Sequence, residues 1–284
     1  PWTPWRIINA LLKAGCPAEA FGFYPADHEG AGVVLSECQR VIMFGDAKTV
    51  ERHAGDPRVS VHGPGYSKII LGEDQVDNWP KYMDILTSSV AGNGGRSCVN
   101  ASTIVVPRHG RKIALALAKR LAAIQPQPLD APQAQLAGFA NAKVANAIDQ
   151  LIDRALDQPG AVDVSADKRS GARCTTLNGQ CYLQPTVVYC SDPEHSLART
   201  EFMFPFTSVL ELPQSSMLEW IGPSLVVSAI TEDADLRRDL LSSAHIKRLN
   251  LGPIPSGQVS WDQPHEGNLF EFLYERRAIQ EKAI

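Results

Sequence analysis

Isoleucine and leucine at positions 7, 8, 11 and 12 recur at helical spacing, which predicts a helix over 5–14 that Gly15 and Pro17 bring to a stop. After the short apolar run AFGFYP, a small helix is expected around 33–36. The unbroken apolar run VIMF at 41–44 then reads as a strand covered on both faces. Gly45 and Asp46 open a helix near 49–54, and VSVHG and SKIIL supply two more short strands. This alternation over the first 75 or so residues predicts a doubly wound parallel sheet. A helical pattern from 75 to 91 runs into the glycine-rich bend GNGGRSC and the strand STIVVP at 102–107. Helices are expected at 111–124 and, after the connection QPQPLDAPQ, at 133–156. The apolar runs PTVVYC, FTSVLEL and SLVVSAIT read as strands, followed by a helix over 233–244 and the strand KRLNLG. The ending FEFLYERRAI suits either a strand or a terminal helix. No internal repeat is evident.

At 284 residues with 44% apolar positions, the chain can bury one large core or two smaller ones. Its 27 basic and 31 acidic residues leave a net charge of -4, and no run of Lys and Arg would track a phosphate backbone, so nucleic acid is not an expected partner. No apolar stretch reaches the roughly 18 residues of a membrane helix. The first residues, PWTPWRIINA, lack the form of a secretion signal, and a soluble cytoplasmic protein is expected. A start at Pro1, running almost at once into a helix, suggests a trimmed polypeptide. The six cysteines (16, 38, 98, 174, 181, 190) show neither the spacing of a disulfide-stapled domain nor CxxC pairs, so most are expected to be buried thiols and no metal site is expected.

The segment GNGGRSCVNASTIVVP carries the most chemical information. It places Cys98 in a tight glycine bend between a helix and a strand, and glycines let a backbone take positive φ and approach a ligand closely. An isolated cysteine is usually an inert small hydrophobe, so the bend alone decides nothing.

Further phrases change that. Asn93, Gly95, Arg96 and Cys98 followed by STIVV resemble the NxGQxC nucleophile phrase and following strand of the aldehyde dehydrogenase superfamily. Tyr182, Gln184, Pro185, Thr186, Val187 and Val188 are similar to its YxxQPTVF, and Thr200 to Phe206 to its EEIFGPV. Ala14, Gly15, Cys16 and Pro17 resemble AGxP, and Met43, Phe44, Gly45 and Asp46 resemble FTGS. The matches keep the family's order over nearly the whole chain.

The resemblance implies an α/β, aldehyde-dehydrogenase-like fold: parallel sheets flanked by helices, with a partial Rossmann-like cofactor domain and an α/β catalytic domain. Residues 1–88 would be the remaining part of the nucleotide-binding domain and 89–265 the catalytic domain. Residues 266–284 would be a C-terminal segment able to supply an oligomerisation strand, in keeping with a homo-oligomer. It further implies oxidation of a small-molecule aldehyde through a thioester on Cys98. NAD or NADP would take the hydride, and water or coenzyme A would release the acyl group. The Cys98 N–H is a candidate oxyanion donor, and Arg96 is a candidate for favouring the thiolate. By the same resemblance Glu201 would bind the nicotinamide ribose with Met203 beside it. Gly45 and Asp46 would lie at the cofactor diphosphate, and Asn250 near the substrate.

Four departures from the family pattern bear on function. Val61 or His62 stands where the general-base glutamate belongs; His62 is a candidate base because its unperturbed pKa lies near neutrality. Asp46 replaces a small hydroxyl residue at a helix start that would otherwise attract the diphosphate. Met203 replaces an aromatic residue. The resemblance also begins partway through the family's fold, so its first strands, its adenosine-ribose lysine and its oxyanion-hole asparagine have no counterpart in the sequence. Asp46, the missing carboxylate and the missing first part favour a rival expectation, a non-catalytic relative serving binding or assembly, whereas the glycine bend at Cys98 favours the enzyme. A thiol hydrolase pairing Cys98 with His62 or His109 is a third.

Overall fold

The computed structural model describes residues 2–282 except 129, 261 and 265, and divides the chain into two compact units, 1–62 with 270–284, and 63–269. The strand at Lys68–Leu71 and the helix at Met83–Ala91, which spans residue 88, are both built into the larger unit's sheet and core.

In the smaller unit, helices α1 (Trp2–Lys13), α2 (His28–Glu37) and α3 (Ala47–His53) accompany strands β1 (Val41–Phe44) and β2 (Val59–His62). Asp27 caps α2 by accepting from the Gly30 N–H, and Asp46 caps α3 by accepting from the Thr49 N–H, as short acidic side chains do at helix starts. The two strands pair in parallel. The expectation that VIMF is covered on both faces is not met. Ile42 and Phe44 are exposed, because the sheet has only two strands among the described residues and the three helices bury none of theirs fully.

The larger unit opens with β3 (Lys68–Leu71), α4 (Met83–Ala91), β4 (Thr103–Val106), α5 (Gly110–Leu121) and α6 (Ala142–Leu156). Next come β5 (Ala161–Asp163), β6 (Cys174–Leu177), β7 (Gln180–Leu183), β8 (Thr186–Cys190) and β9 (Phe206–Glu211). The unit continues through α7 (Gln214–Ile221), β10 (Ser224–Ile230), α8 (Ala234–Ser242) and β11 (Ile246–Leu251). Its seven-stranded sheet runs β11-β10-β3-β4-β9-β8-β5, parallel throughout except for the edge strand β5. Alternate residues of these strands feed two cores. Ile70, Val105, Val188, Leu210 and Val227 pack with Ile152 of α6, Trp220 of α7 and Leu240 of α8. Ile69, Ile104, Val187, Val209 and Ile230 pack with Leu86 of α4 and Leu117 of α5. Helices on both faces explain why the strand sequences are unbroken apolar runs. The hairpin β6-β7 forms a separate two-stranded sheet.

Three expected elements take a different form. The helix expected over 75–91 begins as a 3-10 turn, Val76–Tyr82, since Pro80 has no N–H for an i→i−4 bond. The helix expected from 133 begins at Ala142. Tertiary bonds hold the stretch before it: the Phe139 N–H donates to the Cys181 carbonyl, and Arg96 donates to the carbonyls of Ala137 and Gly138. The ending FEFLYERRAI forms only a short helix, α9 (Leu269–Leu273), with no strand among its described residues. No described helix is long and apolar enough to cross a membrane.

Candidate active site

The loop from α4 to β4 turns through three consecutive residues with positive φ: Asn93, Gly94 and Gly95. Gly95 is required there for a second reason. A Cβ on it would lie 2.3 Å from the backbone of Phe204 and Pro205. Asn100 locks the corner, accepting from the Ser97 N–H and donating to the carbonyls of Ser89 and Gly92. Asn93 adds a bond to the Ser97 hydroxyl.

This corner presents Cys98, half-buried, immediately before β4. Its carbonyl accepts from the Ser67 hydroxyl at 2.7 Å, and Gly65 lies so close that a Cβ there would come within 1.9 Å of that carbonyl oxygen. Glu201 holds the same 65–66 loop from the other side, accepting from the Gly65 N–H at 3.1 Å and the Tyr66 N–H at 2.6 Å. Cys98, the Gly65 loop and Glu201 thus form one contiguous assembly.

Its electrostatics are set by burial. Burial pushes the Cys98 thiol up to about 11, and the carboxylates of Glu266 and Glu201 push the same way; the N–H groups of Cys98 and Val99 oppose them. Arg96, a candidate for favouring the thiolate, is turned elsewhere. Its guanidinium binds the carbonyls of Ala137 and Gly138 and stacks 4.5 Å above the Phe139 ring. Burial also raises Glu201 to about 7, against the pull of its two N–H donors and of Lys68.

Among the other candidates, Met203 is exposed beside Glu201. The Asn250 side chain donates to the Ser228 hydroxyl at 3.0 Å, across the β10–β11 pair in which these residues face one another. His109 is bonded to Asp77 at 2.8 Å beyond the end of β4, whereas Cys98 precedes its start. A four-residue strand is about 13 Å long, so the thiol hydrolase pairing of these two is not formed. His62, Gly45 and Asp46 belong to the smaller unit. There the His62 ring stacks on Phe44 with centroids 4.9 Å apart and lies 3.0 Å from the Ser60 hydroxyl, while the Gly45 N–H donates to the His62 carbonyl.

The fit to a nicotinamide dinucleotide differs between the two units. A carboxylate is an acceptor-only group with lone pairs beyond the two that Gly65 and Tyr66 engage, so Glu201 suits ribose hydroxyls. The start of α3 does not suit a diphosphate. Asp46 places its own anion there and takes the Thr49 N–H at 2.8 Å.

The sequence profile of the Aldehyde dehydrogenase family matches residues 1–218. The chain belongs to this family. Several solved structures share the fold. The family member is 18% identical to glyceraldehyde-3-phosphate dehydrogenase GapN from Methanocaldococcus jannaschii complexed with NADP, at a TM-score of 0.72 over 90% of this chain and 56% of that one. With PnpE from Pseudomonas sp. WBC-3 the identity is 17% and the TM-score 0.78, over 93% and 55% of the two chains. With the NAD+ complex of an aldehyde dehydrogenase from Bacillus cereus the values are 17% and 0.71, over 84% and 50%. At these identities the likeness establishes the fold, and the chain spans about half the length of these structures. Among curated proteins none matches.

Three residues of the assembly were not picked out from the sequence: Gly65, Asn100 and Lys68. The signals present were faint: a second glycine in GPG, an asparagine two positions after the cysteine, and a lysine leading an apolar strand.

Proposed function

We propose that this aldehyde dehydrogenase family member contributes the catalytic cysteine of an aldehyde oxidoreductase. The supporting observation is the contiguity of Cys98, the Gly65 loop and Glu201 at a left-handed corner that no ordinary buried thiol requires. In this reading the Cys98 sulfur adds to the carbonyl carbon of a small aldehyde, passing its proton to solvent water as the C–S bond forms, and the N–H of Cys98 donates to the oxygen. When bound, NAD or NADP would supply the hydride acceptor for that carbon, and Cys98 would then hold the acyl group as a thioester. Glu201 would orient the ribose, with Met203 as apolar neighbour; Asn250 would face the substrate side. A diphosphate would have to lie away from Asp46, and no step is assigned to α3 or to Gly45. Transfer of the acyl group to coenzyme A needs no activated water. Residues 1–62 would then belong to a cofactor domain and 63–269 to the catalytic part, and the assembly would be a homo-oligomer.

Two observations favour a second reading, a non-catalytic binding or assembly module: Asp46 occupies the helix start, and burial holds the Cys98 thiol at about 11. Aldehyde-dependent production of NADH or NADPH, assayed with and without coenzyme A, separates the two. The enzyme reading expects activity that Cys98→Ala abolishes with the circular dichroism spectrum unchanged, and a coenzyme A requirement would assign the acylating release. Activity that survives in Cys98→Ala overturns the role assigned to Cys98, and a folded wild-type chain inert toward a panel of aldehydes overturns the enzyme reading in favour of the second.

A further inference from the structure

A cavity of about 180 Å³ lies at the starts of β3 and β4, lined by Tyr66, Lys68, Ser102, Thr103, Arg199 and the turn 221–223. Lys68 is only 5% exposed, yet among the described residues its ammonium donates to two neutral acceptors, the Tyr66 carbonyl at 2.6 Å and the Ser224 hydroxyl at 3.0 Å. An ammonium has three donors, so one remains. The nearby carboxylate, Glu201, has turned its two oxygens to the N–H groups of Gly65 and Tyr66. Arg199 is a second cation on the same wall. It is bonded to the Trp220 carbonyl and to Glu194, and it stacks 4.6 Å above the Trp220 ring, which leaves further guanidinium N–H groups. The hydroxyls of Ser102 and Thr103 already donate to the carbonyls of Ser67 and Ala198. The donors available to a ligand are therefore those of the two cations.

We propose that this cavity is a subsite for a small oxoanion, a carboxylate or a free phosphate, held between Lys68 and Arg199. A buried ammonium whose nearby carboxylate is bonded to other donors is costly, and an anion in contact with it and a guanidinium recovers part of that cost through charge-assisted hydrogen bonds. The volume and the apolar contribution of Ile221 and Pro223 limit the ligand to a compact group. Burial, followed by repulsion from Arg199, already depresses Lys68 to about 8, with Glu201 opposing. An anion in contact would raise Lys68 again. Of the groups facing Lys68, Glu201 and Arg199 carry charge and Tyr66 contributes a neutral carbonyl. Binding should thus take up a proton between about pH 8 and 10. The inference does not rest on the role proposed for Cys98, since it concerns binding alone.

Isothermal titration of the whole chain at pH 8.5 with inorganic phosphate, and separately with succinate, in two buffers of different ionisation enthalpy and at matched ionic strength, tests it. The expected result is saturable binding with buffer-dependent heat. Lys68→Met should lose the proton uptake and at least tenfold in affinity, and Arg199→Gln a similar factor. Tighter phosphate would assign a free phosphate; tighter succinate would assign a carboxylate. Heats no larger than those of sodium chloride, or binding unchanged in both variants, overturn the proposal. If Lys68→Met does not fold, Arg199→Gln carries the same decision.

Discussion

Glu201 and Tyr66 are joined by a 2.6 Å bond from the Tyr66 N–H to Oε2 of Glu201, and this bond, with its neighbour from Gly65, fixes the loop against which Cys98 rests. A carboxylate that in the proposed function contacts ribose is, in the chain itself, a structural clamp.

Burial of the Glu201 carboxyl gives stability a pH dependence. Burial lifts Glu201 from its ordinary 4.5 to about 7, so the folded chain keeps this proton where the unfolded chain has released it. The stability it contributes is present below pH 4.5 and is lost as pH rises to about 7, by on the order of 2 kcal/mol. Thermal melts of wild type should fall between pH 5 and 8, whereas those of Glu201→Gln should stay flatter. Parallel curves for the two proteins would exclude Glu201 as the source.

Cys98 should be slow toward iodoacetamide at neutral pH, in contrast with the early labelling an activated thiol would show. With the thiol near 11, its rate should climb close to tenfold per pH unit from 7 to 10 without a plateau. Exposed Cys38 should label first. Peptide mapping by mass spectrometry reads each site, and a plateau below pH 8 at Cys98 would contradict the environment described.

Gly65→Ala forces a Cβ to 1.9 Å from the Cys98 carbonyl oxygen, a backbone atom with little room to yield. Overpacking of this kind costs about 2 kcal/mol or more. Gly257→Ala, whose nearest neighbour would be a Val99 methyl at 3.8 Å, serves as the control and should be near neutral. Chemical denaturation of the two variants checks the contrast.

Asp163 receives both Arg169, at 2.7 Å, and Arg173, at 3.3 Å, and all three side chains are 6–7% exposed. Arg173 reaches on to Asp149 and Asp153 of α6. Removing the shared carboxylate in Asp163→Ala leaves Arg169 without an acidic partner among the described residues, at a cost of about 3–5 kcal/mol. Urea unfolding measures this; a change below about 1 kcal/mol would show that the cluster relaxes.

Much of the fold was legible because local rules govern it. The strand runs around 102–107 and 224–231 are apolar since helices cover both faces of the sheet, and Asp46 and Asp233 cap helices by a bond to the N–H three residues on. The segment 133–141 was misread as helix. Its pattern is helical, but Cys181 and Arg96, distant in sequence, claim its backbone groups. VIMF was misread as covered because burial depends on how many strands a sheet has, which a single strand does not reveal.

The amino-acid order alone fixed the glycine corner around Cys98, the family-like phrase that carries Glu201, and the alternation of strands and helices, because each is written in spacings of a few residues. Only the tertiary structure decided the charge on the Cys98 thiol, the clamp between Glu201 and the 65–66 loop, and the burial of Lys68 beside Arg199. Desolvation and charge act through space, between residues that lie more than a hundred positions apart along the chain.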